Sequence, residues 1–323
     1  MSSFLFKRLL HLIPTLIGIT LISFFLMQLA PGGPVDAMTD MNPHVTKEAK
    51  ERIRHDLGLD LPLHVQYLKW INRMARLDFG ISFNDRRPVI KKIAERLPAT
   101  LLLNVLSLGL MLLLAIPIGI WSAVRAGSRG DRLLSIFVFL GFSMPTYALA
   151  LALMVFFGLR LGWLPVSGIS SLSFIALPWY ARAWDVTQHL ILPVAVLGLT
   201  SLAGLSRYMR SSMLEVLGQD FIRAARAKGL NESRIILGHA VRNALIPIVT
   251  IFGLMLPDII GGSVIIETIF AYPGMGRLGY DAIMSRDYNL IMAITVITAF
   301  LTVLGNLLAD TLYAYVDPRI RYR

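Results

Sequence analysis

The sequence predicts an all-α integral membrane protein, with six transmembrane helices and a small helical extracytoplasmic insertion between the first and second. Three observations lead there. The 323 residues are 55% hydrophobic and 16% charged, with a mean hydropathy of +0.65, whereas soluble domains carry about 25% charged residues. Six apolar segments approach the roughly 20 residues that a spanning helix needs, at 9–29, 99–124, 133–159, 189–205, 244–266 and 290–316. The basic residues, finally, are distributed unevenly in the polar stretches between these segments.

The N-terminal stretch 1–30 reads as a short tail and the first span. That span is too long for a cleaved signal peptide, and Pro31-Gly32-Gly33-Pro34 follows it in place of a small-residue cleavage site. Residues 31–96 form a loop long enough to fold. Helical spacing of Ile53 and Leu57, then of Val65, Leu68, Ile71 and Met74, with a break at 58–62, predicts a small helical subdomain there. An ordered spacer without contacts of its own satisfies the same pattern. The remaining five spans occupy 97–316, the fourth being the shortest, and 317–323 is a basic tail.

Orientation follows from Lys and Arg in the short loops. With the N-terminus inside, one side holds Lys7, Arg8, Arg125, Arg129, Arg132, Arg207, Arg210, Arg223, Arg226, Lys228, Arg234, Arg242, Arg319, Arg321 and Arg323. The other side holds only Arg160, Arg182, Arg277 and Arg286 in short loops. The long 31–96 loop is also basic, but long loops cross largely regardless of charge. Both termini are therefore expected in the cytoplasm of a cell whose plasma membrane the chain spans.

A net charge of +11 raises the question of nucleic acid. A nucleic-acid binder gathers its cations on a folded polar face. Many of the cations here flank apolar runs, where membrane lipid and topology account for them, so no nucleic-acid partner is expected. The absence of cysteine excludes disulfides, thiolate metal sites and cysteine nucleophiles. No internal repeat is evident, so an inverted-repeat architecture has no support.

The most informative stretch is the loop 207–243 between the fourth and fifth spans. Gly218 interrupts the helix that leaves the membrane, and Asp220 is placed to cap a new one. Gly229 can take the left-handed position that ends it, leaving a helix of about two turns from Phe221 to Lys228. Phe221, Ala224, Ala225 and Lys228 share one face by their spacing, and Arg223 and Arg226 are available to acidic groups. This geometry suits a short lever seated in a partner's groove. It equally suits a solvated connecting helix.

The run Arg223-Ala224-Ala225-Arg226-Ala227-Lys228-Gly229-Leu230, followed by His239-Ala240-Val241-Arg242-Asn243-Ala244-Leu245-Ile246-Pro247, resembles the EAA loop of type I ABC importer permeases. The match is to the dipeptide, oligopeptide, glutathione and nickel branch. Arg223 stands where the general motif has Glu and Pro247 lies later than usual, both of which are usual in that branch. The similarity runs nearly end to end. Lys7, Arg8 and Pro14 resemble the branch's first helix, and Pro31-Gly32-Gly33-Pro34 its PGDP. Leu77-Asp78-Phe79-Gly80-Ile81-Ser82 with Pro88-Val89 resembles GDLG…S…PV, with Leu77 for Gly and Phe79 for Leu. Leu161-Gly162-Trp163-Leu164-Pro165-Val166-Ser167-Gly168, Glu267-Thr268-Ile269-Phe270-Ala271-Tyr272-Pro273-Gly274-Met275-Gly276 and Asp317-Pro318-Arg319-Ile320-Arg321 are similar to further family signatures.

This resemblance implies a type I permease core over 97–316 and the first, long-looped permease subunit of an importer for di- or oligopeptides, or else for nickel or glutathione. It implies a second homologous permease, an extracytoplasmic substrate-binding protein, and two ATPase subunits that bind ATP and magnesium. The 220–229 helix would couple to the ATPases through Asp220, Phe221, Arg223, Ala224, Ala225, Arg226, Lys228 and Gly229. A class apart is an ion-coupled secondary transporter working without an ATPase.

The chain itself holds no cofactor motif. There is no G-x-x-x-x-G-K-[ST], and its six histidines form neither HExxH nor a close ligand pair. No enzyme is expected; His239 reads as part of the loop. Polar residues inside spans are functional candidates by default. Asn104, Asp258, Asn306 and Asp310 qualify, and Asp258, Gly261 and Gly262 are candidates for a pathway or gate. Helix–helix hydrogen bonding by Asp258, or its placement near the outer surface, and close packing at the two glycines are the competing readings.

Overall fold

An apolar segment in lipid must satisfy its backbone groups internally, so helix is the economical answer throughout. The computed structural model describes residues 2–29, 35, 46–56, 58–255 and 258–316. Among them the only extended pairing is a single antiparallel bridge, Ile81 to Pro88. In chain order the helices are α1 (Ser2–Leu29), α2 (Lys47–Asp56), α3 (Leu63–Ala75), α4 (Val89–Val124), α5 (Arg129–Ser143) and α6 (Thr146–Leu153). They continue with α7 (Trp179–Leu217), α8 (Asp220–Ala227), α9 (Glu232–Arg234), α10 (Val241–Met255), α11 (Asp258–Gly261), α12 (Val264–Ile269), α13 (Met275–Met284) and α14 (Tyr288–Val316). A π-helical stretch, Met154–Arg160, extends α6, and another, Ile235–Ala240, joins α9 to α10. The Pro31–Pro34 run and the tail 317–323 lie outside the described residues.

Among the described residues, four helices are long and apolar enough to cross a membrane: Val89–Val124, Trp179–Leu217, Glu232–Gly261 and Tyr288–Leu307. The first and third expected spans correspond to shorter apolar helices, Ile13–Leu29 and Thr146–Arg160. The third is not the continuous helix anticipated over 133–159. It breaks at Met144, whose ψ of 130° is extended. The cause is Pro145, whose ring pushes the preceding residue out of the α region. The second expected span proves to be the inner part of a helix that starts at Val89, within the 31–96 segment.

The chain divides into two units. The larger comprises 101–259 and 265–272. Its core is a close-packed seam of Met111, Ala115 and Ala123 on α4 against Leu205, Met209 and Met213 on α7, continued by Ala244 and Ile248 on α10. Two glycines, Gly119 on α4 and Gly198 on α7, set how closely these helices approach. A Cβ on Gly119 would fall 2.6 Å from Met209 Cβ and 2.7 Å from the Ser206 carbonyl oxygen. Gly119→Ala is therefore expected to destabilise the chain by about 1–3 kcal/mol, the usual cost of overpacking. Thermal unfolding of the purified chain measures this, and an unchanged midpoint would mean that the seam opens without cost.

The other unit comprises 1–100, 260–264 and 273–323. The expected pair of outer helices is present as α2 and α3. They are joined at Gly58, whose φ of +66° is left-handed. Gln66 Nε2 donates to the carbonyls of Leu59 (3.1 Å) and Leu61 (2.7 Å), which holds the turn closed. Tyr67 and Trp70 of α3 pack on Phe24 of α1, and Thr20 Oγ1 lies 2.9 Å from the Tyr67 hydroxyl. The 31–96 segment thus carries helices that share a core with the rest of its unit.

Candidate functional site

The 207–243 stretch turns out to be a clamp around one short helix. α7 runs to Leu217, and Gly218 and Gln219 turn the chain into α8. Asp220 is not the cap that its position suggested. Gln219 occupies that place with an extended ψ of 153° and makes no side-chain capping bond. Asp220 enters the first turn instead, where its charge still complements the helix N-terminus. Its carboxylate accepts from Arg223 Nη1 at 3.3 Å.

The far end behaves as expected. Gly229 has φ +75°. Its N–H donates to the Arg226 carbonyl (2.9 Å), and the Leu230 N–H reaches back to Ala225 (3.3 Å). That pair of bonds is a Schellman termination, which satisfies carbonyls the helix would otherwise leave open. The helix therefore ends one residue short of Lys228.

Which face points where is the main correction. Ile222, absent from the expected face, is 0% exposed and joins the buried core with Met213, Val216 and Ile235. Ala225, one turn on, packs against that same core along with Leu230. Phe221 is 41% exposed, and Ala224 and Lys228 are also exposed. The outward face is thus Phe221, Ala224 and Lys228, flanked by Arg223, and Ala225 belongs to the inward face. Arg226 is tied down within the loop by Glu232, with Nε to Oε1 at 2.6 Å and Nη2 to Oε2 at 3.4 Å. The short helix is thereby fastened to its own chain on one side and open on the other.

The loop connects rigidly to the long helices. Ser212 on α7 donates to the Ala244 carbonyl on α10 at 3.0 Å. His239 lies in the π-helical stretch, where its carbonyl accepts from Asn243 Nδ2 at 2.7 Å. Farther along α7, Arg210 grips Asp131 of α5 with Nη2 at 3.0 Å and Nε at 3.3 Å. Ser122 of α4 and the Gly127 N–H also donate to that carboxylate. Arg210 first, then Ser122, hold the Asp131 carboxyl down at about 2. Sequence reading missed this network because its cation, Arg210, lies 79 residues from Asp131 along the chain.

The pathway candidates separate. Asp258 is exposed, and it is its backbone carbonyl, with that of Ile259, that receives Asn104 Nδ2 (3.5 and 2.7 Å). Gly262 has φ +68°, a left-handed turn that explains a glycine there. Gly261 lines an uncharged, largely apolar cavity of about 520 Å³ with Val264, Ile283, Ile294 and Val303, among which Thr298, Thr302 and Asn306 are polar exceptions. The Asp310 side chain lies outside the described residues. In the larger unit, Glu267, Phe270 and Tyr272 of the Glu267–Gly276 signature are fully or almost fully buried, and the Gly168 N–H donates to the Phe270 carbonyl at 2.8 Å. Burial, with Glu267 nearby, pushes the Tyr272 phenol upward in pKa. These residues hold loops together in the described structure. Among the described residues no cluster of His, Cys, Asp and Glu is arranged to hold a metal.

Known proteins place this geometry. Residues 115–322 match the family of binding-protein-dependent transport system inner membrane components, and residues 1–104 match that system's membrane component N-terminal family. The oligopeptide transport system permease protein AppB of Bacillus subtilis is 46% identical over 323 residues, covering 100% of both chains. The glutathione transport system permease protein GsiC of Salmonella typhimurium is 39% identical over 323 residues, again covering 100% of both. The oligopeptide permease OppB of Haemophilus influenzae is 39% identical over 325 residues, with 100% of both covered. Among solved structures, an inward-facing MetNI methionine ABC transporter aligns with a TM-score of 0.56 at 19% identity. The alignment covers 71% of this chain and 98% of that one, a likeness of fold.

Proposed function

Because the chain belongs to the family of binding-protein-dependent transport system inner membrane components, we propose that it is the permease subunit of an ATP-driven importer of di- and oligopeptides. The observation that carries the substrate is the end-to-end 46% identity to an oligopeptide permease. The chain is a transport subunit and not a catalytic one. It lies in the cell membrane as a multi-pass protein, with both termini in the cytoplasm on the charge balance of its short loops. It forms half of the translocation path, and a second homologous permease forms the other half. An extracytoplasmic binding protein delivers substrate to the outer side. Two ATPase subunits supply ATP, magnesium and hydrolysis.

Coupling runs through α8. Phe221, Ala224, Lys228 and Arg223 present the outward face to an ATPase groove, and small Ala224 lets that surface come close. Ile222 and Ala225 transmit displacement inward, because a close-packed core moves as a block and does not absorb small shifts. The block includes α7 and α10. Closure of the ATPases on ATP would therefore tilt that helix pair and switch access. Gly261 and the uncharged, largely apolar cavity beside it are the candidate stretch of pathway.

The test is reconstitution in proteoliposomes with the partner permease, ATPases and binding protein. Uptake of labelled peptide is expected only with ATP and the full set of subunits. Uptake by this chain alone, driven by an ion gradient and indifferent to ATP, would replace the importer by a secondary transporter. Glutathione is the second substrate reading, supported by the 39% full-length identity to a glutathione permease. Nickel is the third member of that substrate set. Competition between peptide, glutathione and nickel for the binding protein decides among them.

A further inference from the structure

A second cavity, of about 230 Å³, opens within the larger unit among α4, α5 and α7. Its lining falls into two layers. Ser122, Arg207 and Arg210 contribute polar groups, and Ile118, Val138 and Ala203 contribute apolar ones. On α4 and α7 the apolar residue sits one turn from its polar counterpart, Ile118 before Ser122 and Ala203 before Arg207. The spacing between layers is thus about 5.4 Å along the helices. On α5, which runs the opposite way, polar Ser135 precedes Val138, so the same order is kept.

The charge balance of the polar layer is specific. The Asp131 carboxylate is saturated by Arg210, Ser122 and the Gly127 N–H. Arg210 is thereby neutralised and held in place. Arg207 has no acceptor among the described residues, and the Ser135 hydroxyl has no partner there either. Both line the cavity. An uncompensated cation, Arg207, and a hydroxyl stand at the cavity wall beside an apolar floor.

We propose that this cavity binds the phosphodiester headgroup of an anionic phospholipid, with Arg207 as its charge partner, Ser135 as a hydrogen-bond donor, and the Ile118–Val138–Ala203 layer receiving the glycerol and first methylenes. A free phosphate shares the headgroup chemistry but has no use for the apolar layer. Phosphatidylglycerol matches both. Basic pockets between membrane helices are the recognised physical setting for such headgroups. Arg207 and Arg210 lie on the helix that leads into α8, so a lipid held there would brace α7 against α5 just before the coupling loop.

The experiment is native mass spectrometry of the full chain released from membranes containing phosphatidylglycerol and phosphatidylcholine in equal amounts. The wild-type chain is expected to retain phosphatidylglycerol preferentially. Arg207→Gln should lower the bound fraction about fivefold, the worth of one guanidinium near an anionic headgroup. Ser135→Phe fills the cavity from an exposed position and should displace the lipid with the charges intact. Arg160→Gln, which removes one positive charge elsewhere, should leave retention unchanged. Equal retention of the two lipids, or wild-type retention by Arg207→Gln, overturns the assignment. So does binding of inorganic phosphate or glycerol phosphate as tightly as the lipid, which would make this a soluble-anion site.

Discussion

Replacing Gly229 with proline is expected to abolish ATP-driven uptake while leaving the long helices folded. Gly229 sits at φ +75°, and proline holds φ near −65°. The substitution also deletes the N–H that donates to the Arg226 carbonyl, and it disfavours the helical conformation of Lys228 just before it. The termination of α8 must therefore unravel, at a cost of roughly 3 kcal/mol. Unravelling releases Leu230 and loosens the anchor at Ile222, so the outward face loses its fixed relation to α7 and α10. Uptake in the reconstituted importer should fall more than about tenfold, since each 1.4 kcal/mol is a factor of ten in the population of the competent state. Gly229→Ala, strained by only about 1–2 kcal/mol, should give an intermediate loss. Phe221→Ala separates docking from folding, because it removes an exposed contact and leaves the inward face intact. It should weaken ATPase association with unchanged thermal stability. Wild-type uptake by both Gly229→Pro and Phe221→Ala would remove α8 from the coupling machinery.

The position of α8 was readable in the sequence and its phase was not. Gly218 and Gly229, on either side of an eight-residue helix, state where a short helix begins and ends. With only about two turns, however, several faces satisfy the three- and four-residue spacing equally well. Neighbours Phe221 and Ile222 are both large and apolar, so hydropathy alone cannot say which points inward. The answer depends on Met213, Val216 and Ile235, which come from other helices. The Asp220 cap failed for a related reason. An Asx residue two positions after a glycine suits either the cap or the first turn, and the extended backbone of Gln219 made Gln219 the cap. Pro145 could have warned that the third span would break, because its effect on Met144 is local. The Asp131–Arg210 and Asp287–Ser82 pairings could not have been anticipated, being 79 and 205 residues apart in sequence.

Asp287→Ala is expected to cause the largest loss of stability of any single substitution in the smaller-core unit. The Asp287 side chain is 0% exposed and caps α14, its Oδ1 accepting from the Leu290 N–H at 3.3 Å. The same oxygen receives the Phe83 N–H at 3.2 Å, and Oδ2 receives the Ser82 hydroxyl. Lys92 Nζ in turn donates to Ser82 Oγ at 3.1 Å and lies 2.9 Å from Asp85. One carboxylate thus closes the 77–88 loop and starts the final long helix. Alanine leaves the buried Ser82 hydroxyl and two N–H groups with a lost acceptor, each unsatisfied group costing about 1–3 kcal/mol. With partial relaxation, a net loss of about 3 kcal/mol follows, part of it the lost cap. Thermal unfolding measures the total, and trypsin cleavage after the exposed Arg86 reports on the loop itself. Faster cleavage together with a lowered midpoint is the expected outcome. A lowered midpoint with cleavage unchanged would show that Asp287 acts on α14 alone. Asp287→Asn, which keeps an acceptor for the two N–H groups but not the charge facing Ser82, should fall between. Its distance from wild type then measures how much of the lock is electrostatic and how much is the bare geometry of the cap.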